Sequence, residues 1–382
     1  MKANIGIIGS GIASCLLAYR LHKLGVSCCL FESRPQLHDG ASGSLTANVV
    51  PQFTKSSSPL SRSLNECFLE AIEFYARFKN WRPCGAHFLF HSNADREKYQ
   101  AVQIDPRFKA SFLSPEETRE VSSFPTQSDS LFVQEAGYVY AKKLCEEILS
   151  ETDSQQFIRS QVTQIERLPS GSWRLLTQDG GSSTFPIVVL ANAFEAMAFT
   201  EAAWLPLRQV RGQSVELRSN LESRKLSKLL CFEGSLTPCL TGDRHHLGGT
   251  YRHENFHDIP QADETADLLG RLQRHFPSLE GLEPLGSRAR VRNTTPDHFP
   301  ILGAATNREA EPLPGLFFFL GLGSRGFSWG PSLSRILAEE ILKTPELELA
   351  ERDRKLLQVV RPCRFLNDMK DLKALGKQSR VF

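Results

Sequence analysis

Six residues near the N-terminus, Gly9-Ser10-Gly11-Ile12-Ala13-Ser14, have the types and spacing to hold phosphate. They follow a short apolar run, Asn4 to Ile8, and open a segment in which Leu16, Leu17, Leu21 and Leu24 recur at helical spacing. Gly25 stops that helix, and Val26 to Phe31 reads as a second strand ending in Glu32. Strand, glycine turn, helix, strand and acid in this order make a dinucleotide cradle. Gly9 allows the tight turn, and Gly11 lets the backbone approach a pyrophosphate at the helix N-terminus, with Ser10, Ile12 and Ala13 completing the turn. Glu32 stands where it can accept hydrogen bonds from an adenosine ribose. Ser14 occupies the position where Gly or Ala is usual, and is small enough for close helix–strand packing.

Two other patterns carry less. His253-Glu254-Asn255-Phe256-His257 satisfies H-E-x-x-H, but zinc chemistry there needs both imidazoles on one helical face. A strand over His246–Tyr251 precedes it and Asp258-Ile259-Pro260 follows, so no metal is expected; His245-His246 reads as a pair at a loop. The nine cysteines show no C-x-x-C pair and no zinc spacing. Cys28 and Cys29 alternate across the second strand as core thiols, a vicinal disulfide being the alternative, and a reducing cytoplasm fits this usage.

The elements that must position the cradle come from both ends of the chain. Gly321-Leu322-Gly323-Ser324-Arg325-Gly326 follows a buried strand reading, Leu316 to Leu320, and precedes Leu333, Ile336, Leu337 and Ile341 at helical spacing. After the second strand, Gly40-Ala41-Ser42-Gly43 forms a small-residue turn in which Ser42 and Gly43 can approach a ligand. A long cofactor bound extended needs such a second anchor, which favours FAD over NAD. The 382 residues, 41% apolar and 23% charged, suit a globular chain with a sizeable core. No apolar run approaches the roughly 18 residues of a membrane span. The net charge of +2 does not announce a nucleic-acid binder, yet residues 351–382 carry nine Lys/Arg against four Asp/Glu. That tail reads either as a contact for an anionic partner or as a solvated amphipathic helix end.

On these motifs the chain resembles the FAD-dependent D-amino-acid oxidase, glycine oxidase and sarcosine oxidase superfamily. More closely, it is similar to the FAD-dependent C-terminal domain of the tRNA 5-methylaminomethyl-2-thiouridine biosynthesis bifunctional proteins (MnmC). The pieces that carry the resemblance include Gly11-Ile12-Ala13-Ser14, Gly40-Ala41-Ser42-Gly43 with Val50-Pro51, Val188-Val189-Leu190-Ala191-Asn192 and Tyr251-Arg252-His253. The most distinctive are Val291-Arg292-Asn293-Thr294-Thr295-Pro296-Asp297-His298 and Leu322-Gly323-Ser324-Arg325-Gly326. The resemblance implies an α/β fold of the D-amino-acid oxidase kind, a Rossmann-like FAD-binding domain interleaved with a mostly antiparallel β substrate domain. The FAD domain is expected from residues 1–82, 138–204 and 286–382, and the substrate domain from 83–137 and 205–285. Strand candidates Ala86–Phe90, Ser214–Leu217 and His246–Tyr251 fall in the latter.

The chemistry implied is oxidation of a carboxymethylaminomethyl group on the wobble uridine of tRNA, an N-substituted glycine, to aminomethyl-uridine and glyoxylate. A free small amine or amino acid, as in glycine or sarcosine oxidase, is the alternative substrate. A guanidinium matches a carboxylate with two parallel hydrogen bonds. The family pattern puts that clamp at Arg292, with Arg325 second and Tyr251 closing the pocket. Gly321, Gly323, Ser324 and Gly326 would line the flavin together with Ala191, and Val162, in a strand candidate over 157–166, resembles the position whose backbone meets the adenine. Arg290 stands where sarcosine oxidases carry a flavin-tethering Cys, so FAD is expected to be non-covalent. The chain begins at the flavin domain, so a separate methyltransferase partner is expected, with tRNA contacting the basic tail through Arg361, Arg364, Lys373 and Lys377.

Overall fold

The glycine turn sits between two fully buried strands, Ile5–Ile8 and Cys28–Phe31, in a computed structural model that describes residues 4–54, 58–102, 104–152, 156–342 and 351–366. Both strands are nearly all apolar, as strands covered on both faces must be. They occupy the centre of a six-stranded sheet ordered Ile301–Thr306, Pro312–Leu320, Ile187–Leu190, Ile5–Ile8, Cys28–Phe31, Gln156–Ile158. Neighbours run parallel except Ile301–Thr306, which is antiparallel to Pro312–Leu320. The N-terminal, middle and C-terminal segments therefore build one sheet. The helix Ile12–Lys23 buries nine of its twelve residues, and packs against the helix Gly326–Leu342. A three-stranded antiparallel sheet, Val162–Arg167, Trp173–Thr177 and Ser182–Phe185, adds Trp173, Leu175 and Phe185 to the core beside Phe31.

A second sheet of eight strands runs Pro284–Thr294, Arg208–Arg218, Arg244–Gly248, Ser235–Leu236, Leu229–Cys231, Ala86–Leu89, Ser130–Val133, Ala110–Leu113. It is antiparallel apart from the pair Leu229–Cys231 and Ala86–Leu89. The amphipathic helix Ala262–His275 lays Leu268 and Leu272 against Val215, Leu217 and Leu247 of this sheet. Its two longest strands, Arg208–Arg218 and Pro284–Thr294, pair from Arg208 opposite Thr294 to Leu217 opposite Pro284. The FAD-domain segment expected to begin at residue 286 thus begins inside a strand of the other sheet, and the chain changes sheets only after Thr294.

Three local expectations change. His245-His246 is not a loop pair: both lie in Arg244–Gly248 and are buried. Burial is permitted because His245 has Thr237 O and Ser223 Oγ at 2.9 Å on its two ring nitrogens, and His246 Nδ1 lies 2.6 Å from Thr46 Oγ1. That strand ends at Gly248 rather than Tyr251, where two glycines offer no side chain to sustain packing. The strand candidate over 157–166 divides into Gln156–Ile158 and Val162–Arg167, which belong to different sheets.

Part of the basic tail packs on the body. Leu356, Leu357 and Val360 of the helix Glu351–Val360 are buried. Arg361 pairs with Glu340 at 2.6 Å, while Arg364 pairs with Asp297 at 2.8 Å and donates to the Phe299 carbonyl. These two guanidiniums already have internal partners and are not free contacts for an anion. Lys373 and Lys377 lie outside the described residues.

Candidate active site

Both ends of the chain meet at one cleft of about 450 Å³ between the two sheets. The phosphate turn forms its floor. Gly9 has φ +111°, and a Cβ there would lie 2.7 Å from the Ala191 carbonyl oxygen, so only glycine lets the turn pass this close to the neighbouring strand. Gly11 caps the helix Ile12–Lys23 with no side-chain cap, and the Ile12 amide is held by Ser42 Oγ at 3.0 Å. Glu32 is buried; its carboxylate accepts from Ser10 Oγ and from the Arg34 amide at 2.8 Å. Ala13, Ala191 and Val162 line the same cleft, as do Gly321, Gly323, Ser324 and Gly326 from the C-terminal loop.

The opposite wall is cationic. Arg292 and Tyr251 line it, with the guanidinium carbon 4.8 Å from the phenol ring centroid. Arg292 donates to the Thr250 carbonyl at 3.4 Å, but no described carboxylate lies within ion-pair distance of it. Gly212 lies directly beneath: a Cβ there would come within 2.6 Å of both Cζ and Nη2 of Arg292. Tyr251 stands at the lip, the residue 58% exposed. Desolvation opposes ionisation of its phenol, yet the Arg292 charge, a hydrogen bond with Ser324 and the Arg325 charge outweigh it and lower the pKa below the usual value.

Two expected residues fall outside the lining. Arg325 stacks its guanidinium 5.2 Å from the Trp329 ring, and reaches the cleft through its charge on Tyr251. Gly43 faces the His38 backbone carbonyl and the Arg288 side chain, where it permits close packing of the turn. Arg290, expected beside the flavin, lines the cleft but pairs with Asp39 at 3.0 Å, as Arg288 does at 2.9 Å.

Sequence reasoning missed the supports. Arg211, fully buried, pairs with Glu264 and donates to the carbonyls of His257 and Ile259. Gln213 exchanges two hydrogen bonds with the Gln261 backbone. Together they pin the loop that carries Tyr251. The advance signal is their parity with Val215 and Leu217 along Arg208–Arg218, which puts all four on one face. His246 was missed as a cleft residue; burial pushes its pKa down to about 4, so it stands neutral.

The lining fits a dinucleotide. Three buried polar atoms there, Asn192 Oδ1, Asn293 Nδ2 and His246 Nε2, have no partner among the described residues and can serve a bound ligand. No described helix is long and apolar enough to cross a membrane.

Comparison with known proteins agrees. The chain is 28% identical over 393 residues to the tRNA 5-methylaminomethyl-2-thiouridine biosynthesis bifunctional protein MnmC of Saccharophagus degradans, covering 94% of this chain and 55% of that one. The MnmC of Pseudomonas aeruginosa is 28% identical over 395 residues, with 94% and 59% covered. The chain therefore spans little more than half the length of these curated relatives. Among solved structures, glycine oxidase from Geobacillus kaustophilus superposes with TM-score 0.79 at 20% identity, over 94% of this chain and 98% of that one. Iminodiacetate oxidase from Chelativorans sp. BNC1 gives 0.77 at 18%, again over 94% and 98%. These likenesses establish the fold. A family model described as FAD dependent oxidoreductase matches residues 4–340, and the chain belongs to that family, with FAD as the non-covalently bound group of its cleft.

Proposed function

We propose that this FAD-dependent oxidoreductase, whose reaction is oxidation of a CH–NH bond in an amine or amino-acid-like substrate, acts on a free N-substituted glycine or similar small amino acid. The observation that carries this reading is Arg292, a cleft guanidinium with no carboxylate partner among the described residues. A substrate carboxylate would supply one through two parallel hydrogen bonds. The phosphate turn Gly9 to Ala13 would hold the pyrophosphate of FAD, Glu32 the ribose, and Val162 the adenine.

FAD, when bound, accepts a hydride from the carbon beside the substrate nitrogen. The chain's own residues provide orientation and charge. Arg292 fixes the carboxylate, so the adjacent methylene is carried to a set place in the cleft. Tyr251 covers the guanidinium at the lip and limits water there. The amine reacts neutral, and no side-chain base is needed. Loss of the hydride and the N–H proton leaves an imine, which one water splits to the amine and an oxo acid.

The MnmC relatives, 28% identical across nearly the whole chain, favour a second reading in which the same N-substituted glycine is carried on tRNA. The test is anaerobic mixing of the holoenzyme with sarcosine, glycine, iminodiacetate or bulk tRNA, followed by the visible flavin spectrum. Bleaching by the free amino acids supports the first reading. Bleaching by tRNA alone, with the matching nucleoside change by mass spectrometry, replaces it with the second. A flavin that stays oxidised with every substrate defeats both and leaves a flavin-binding scaffold.

A further inference from the structure

Beside the phosphate turn and outside the cleft lining, three chemically able side chains converge from distant parts of the chain. Cys15 comes from the helix Ile12–Lys23, His38 from the loop after the second strand, and Cys145 from the helix Ala141–Ser150. Their donor atoms all lie within 4.8 Å of one another. Both thiols are completely buried, and the imidazole is 2% exposed.

We propose that Cys15, His38 and Cys145 form a three-donor binding site for one thiophilic divalent cation of the zinc class. This inference does not depend on which amine the enzyme oxidises. The geometry is close to what such an ion needs. Tetrahedral zinc with Zn–S of about 2.3 Å and Zn–N of about 2.0 Å separates sulfur from nitrogen by about 3.5 Å. Cys15 Sγ stands 3.5 Å from His38 Nδ1. The Ser10 oxygen, 2.5 Å from that nitrogen, accepts its hydrogen bond in the metal-free protein and would give it up when the ion enters. Two thiolates and an imidazole select a borderline-soft ion over magnesium or calcium.

Charge also balances. The ion displaces the two thiol protons to solvent, and two thiolates neutralise its two positive charges, so no net charge is left in the interior. The imidazole remains neutral, with its one proton transferred to Nε2 so that Nδ1 can ligate. His38 has φ +59°, a left-handed conformation that non-glycine residues seldom adopt and that the surrounding structure must impose. The site would brace the phosphate turn, since Ser10 also donates to Glu32 and its hydroxyl accepts from the His38 amide at 2.9 Å.

The test is metal content. Tag-free, full-length holoenzyme is exposed to zinc chloride, desalted, and analysed by inductively coupled plasma mass spectrometry. The expected result is one zinc per chain, lost in Cys145→Ser and in His38→Asn, with the visible flavin spectrum kept. Asparagine is chosen because it tolerates the left-handed backbone. Should either variant fail to fold, cadmium titration of the unaltered protein probes the same donors through the ultraviolet thiolate-to-cadmium band, which should saturate at one equivalent. The proposal is overturned by protein that retains no zinc and shows no such band. It is equally overturned by zinc that persists unchanged in both variants, or by a Cys15–Cys145 disulfide found in the metal-free enzyme by thiol counting.

Discussion

Replacing Arg292 by Met removes the charge while keeping most of the side-chain volume. Arg292 is half-buried at the cleft wall, so a bound carboxylate is partly desolvated and has no other described cation that lines the cleft without an acid partner of its own. Truncating one member of such a pair costs about 2–5 kcal/mol, and partial exposure puts this case near the lower end, about 2–3 kcal/mol. At about 1.4 kcal/mol per factor of ten, kcat/KM for sarcosine should fall roughly 30- to 150-fold. The loss should appear mainly in KM, because the carboxylate is held equally in ground and transition states. Arg292→Lys keeps the charge without the planar fork and should lose about tenfold. Gly212→Ala provides an independent route: its Cβ would come within 2.6 Å of the Arg292 Cζ, so the guanidinium must move although it is still present. Steady-state kinetics with sarcosine and with a carboxylate-free N-methyl alkylamine reads all three variants. A fall of equal size for the carboxylate-free amine, or an unchanged KM for sarcosine, would refute the clamp.

Gly9→Ala places a methyl group 2.7 Å from the Ala191 carbonyl oxygen at φ +111°, so the purified variant should carry little FAD by visible absorbance; full flavin occupancy contradicts the cradle. Tyr251 ionises below its ordinary range because the Arg292 and Arg325 charges and Ser324 outweigh burial. Its phenolate would repel a substrate carboxylate, so KM should climb as pH rises through that lowered pKa and stay flat in Tyr251→Phe; identical profiles for both enzymes rule this out. Arg364→Ala strips a buried partner from Asp297 and should cost about 3 kcal/mol of stability, read by chemical denaturation. The same variant should leave the salt dependence of any tRNA binding unchanged, and a flattened salt slope with intact stability would return Arg364 to the RNA surface.

The nucleotide half of the cleft was legible because its determinants are local. A glycine turn, an apolar strand on each side and an acid after the second strand specify their own geometry within some thirty residues. The partners of Arg361 and Arg364 in the C-terminal tail were not legible, for the opposite reason. Arg361 and Arg364 look solvated when only neighbours in sequence are counted, and their acids, Glu340 and Asp297, belong to other elements. The same holds for Cys15, His38 and Cys145, whose spacing matches no metal motif and which only the packing of two helices and a loop brings together.

The cationic wall shows how the two levels combine. Arg288, Arg290 and Arg292 recur at every second residue of the strand Pro284–Thr294, and alternation puts all three on one face. By spacing alone each is an equal candidate for holding an anion, and only the family pattern singles out Arg292. The fold separates them by bringing Asp39 against two of the three, with Asp258 also 3.8 Å from Arg290. Arg288 and Arg290 close on it at 2.9 and 3.0 Å, and the two charges pull its pKa below the usual carboxylate range although burial alone would raise it. Arg292, one step further along the same face, passes over Gly212 and under Tyr251 and meets no acid among the described residues. Specificity for an anionic substrate therefore rests as much on the loop that neutralises its neighbours as on the arginine itself. Asp39→Asn should accordingly set Arg288 free to compete for the carboxylate, while Arg290 keeps Asp258, and blur the selectivity that one unpaired guanidinium provides.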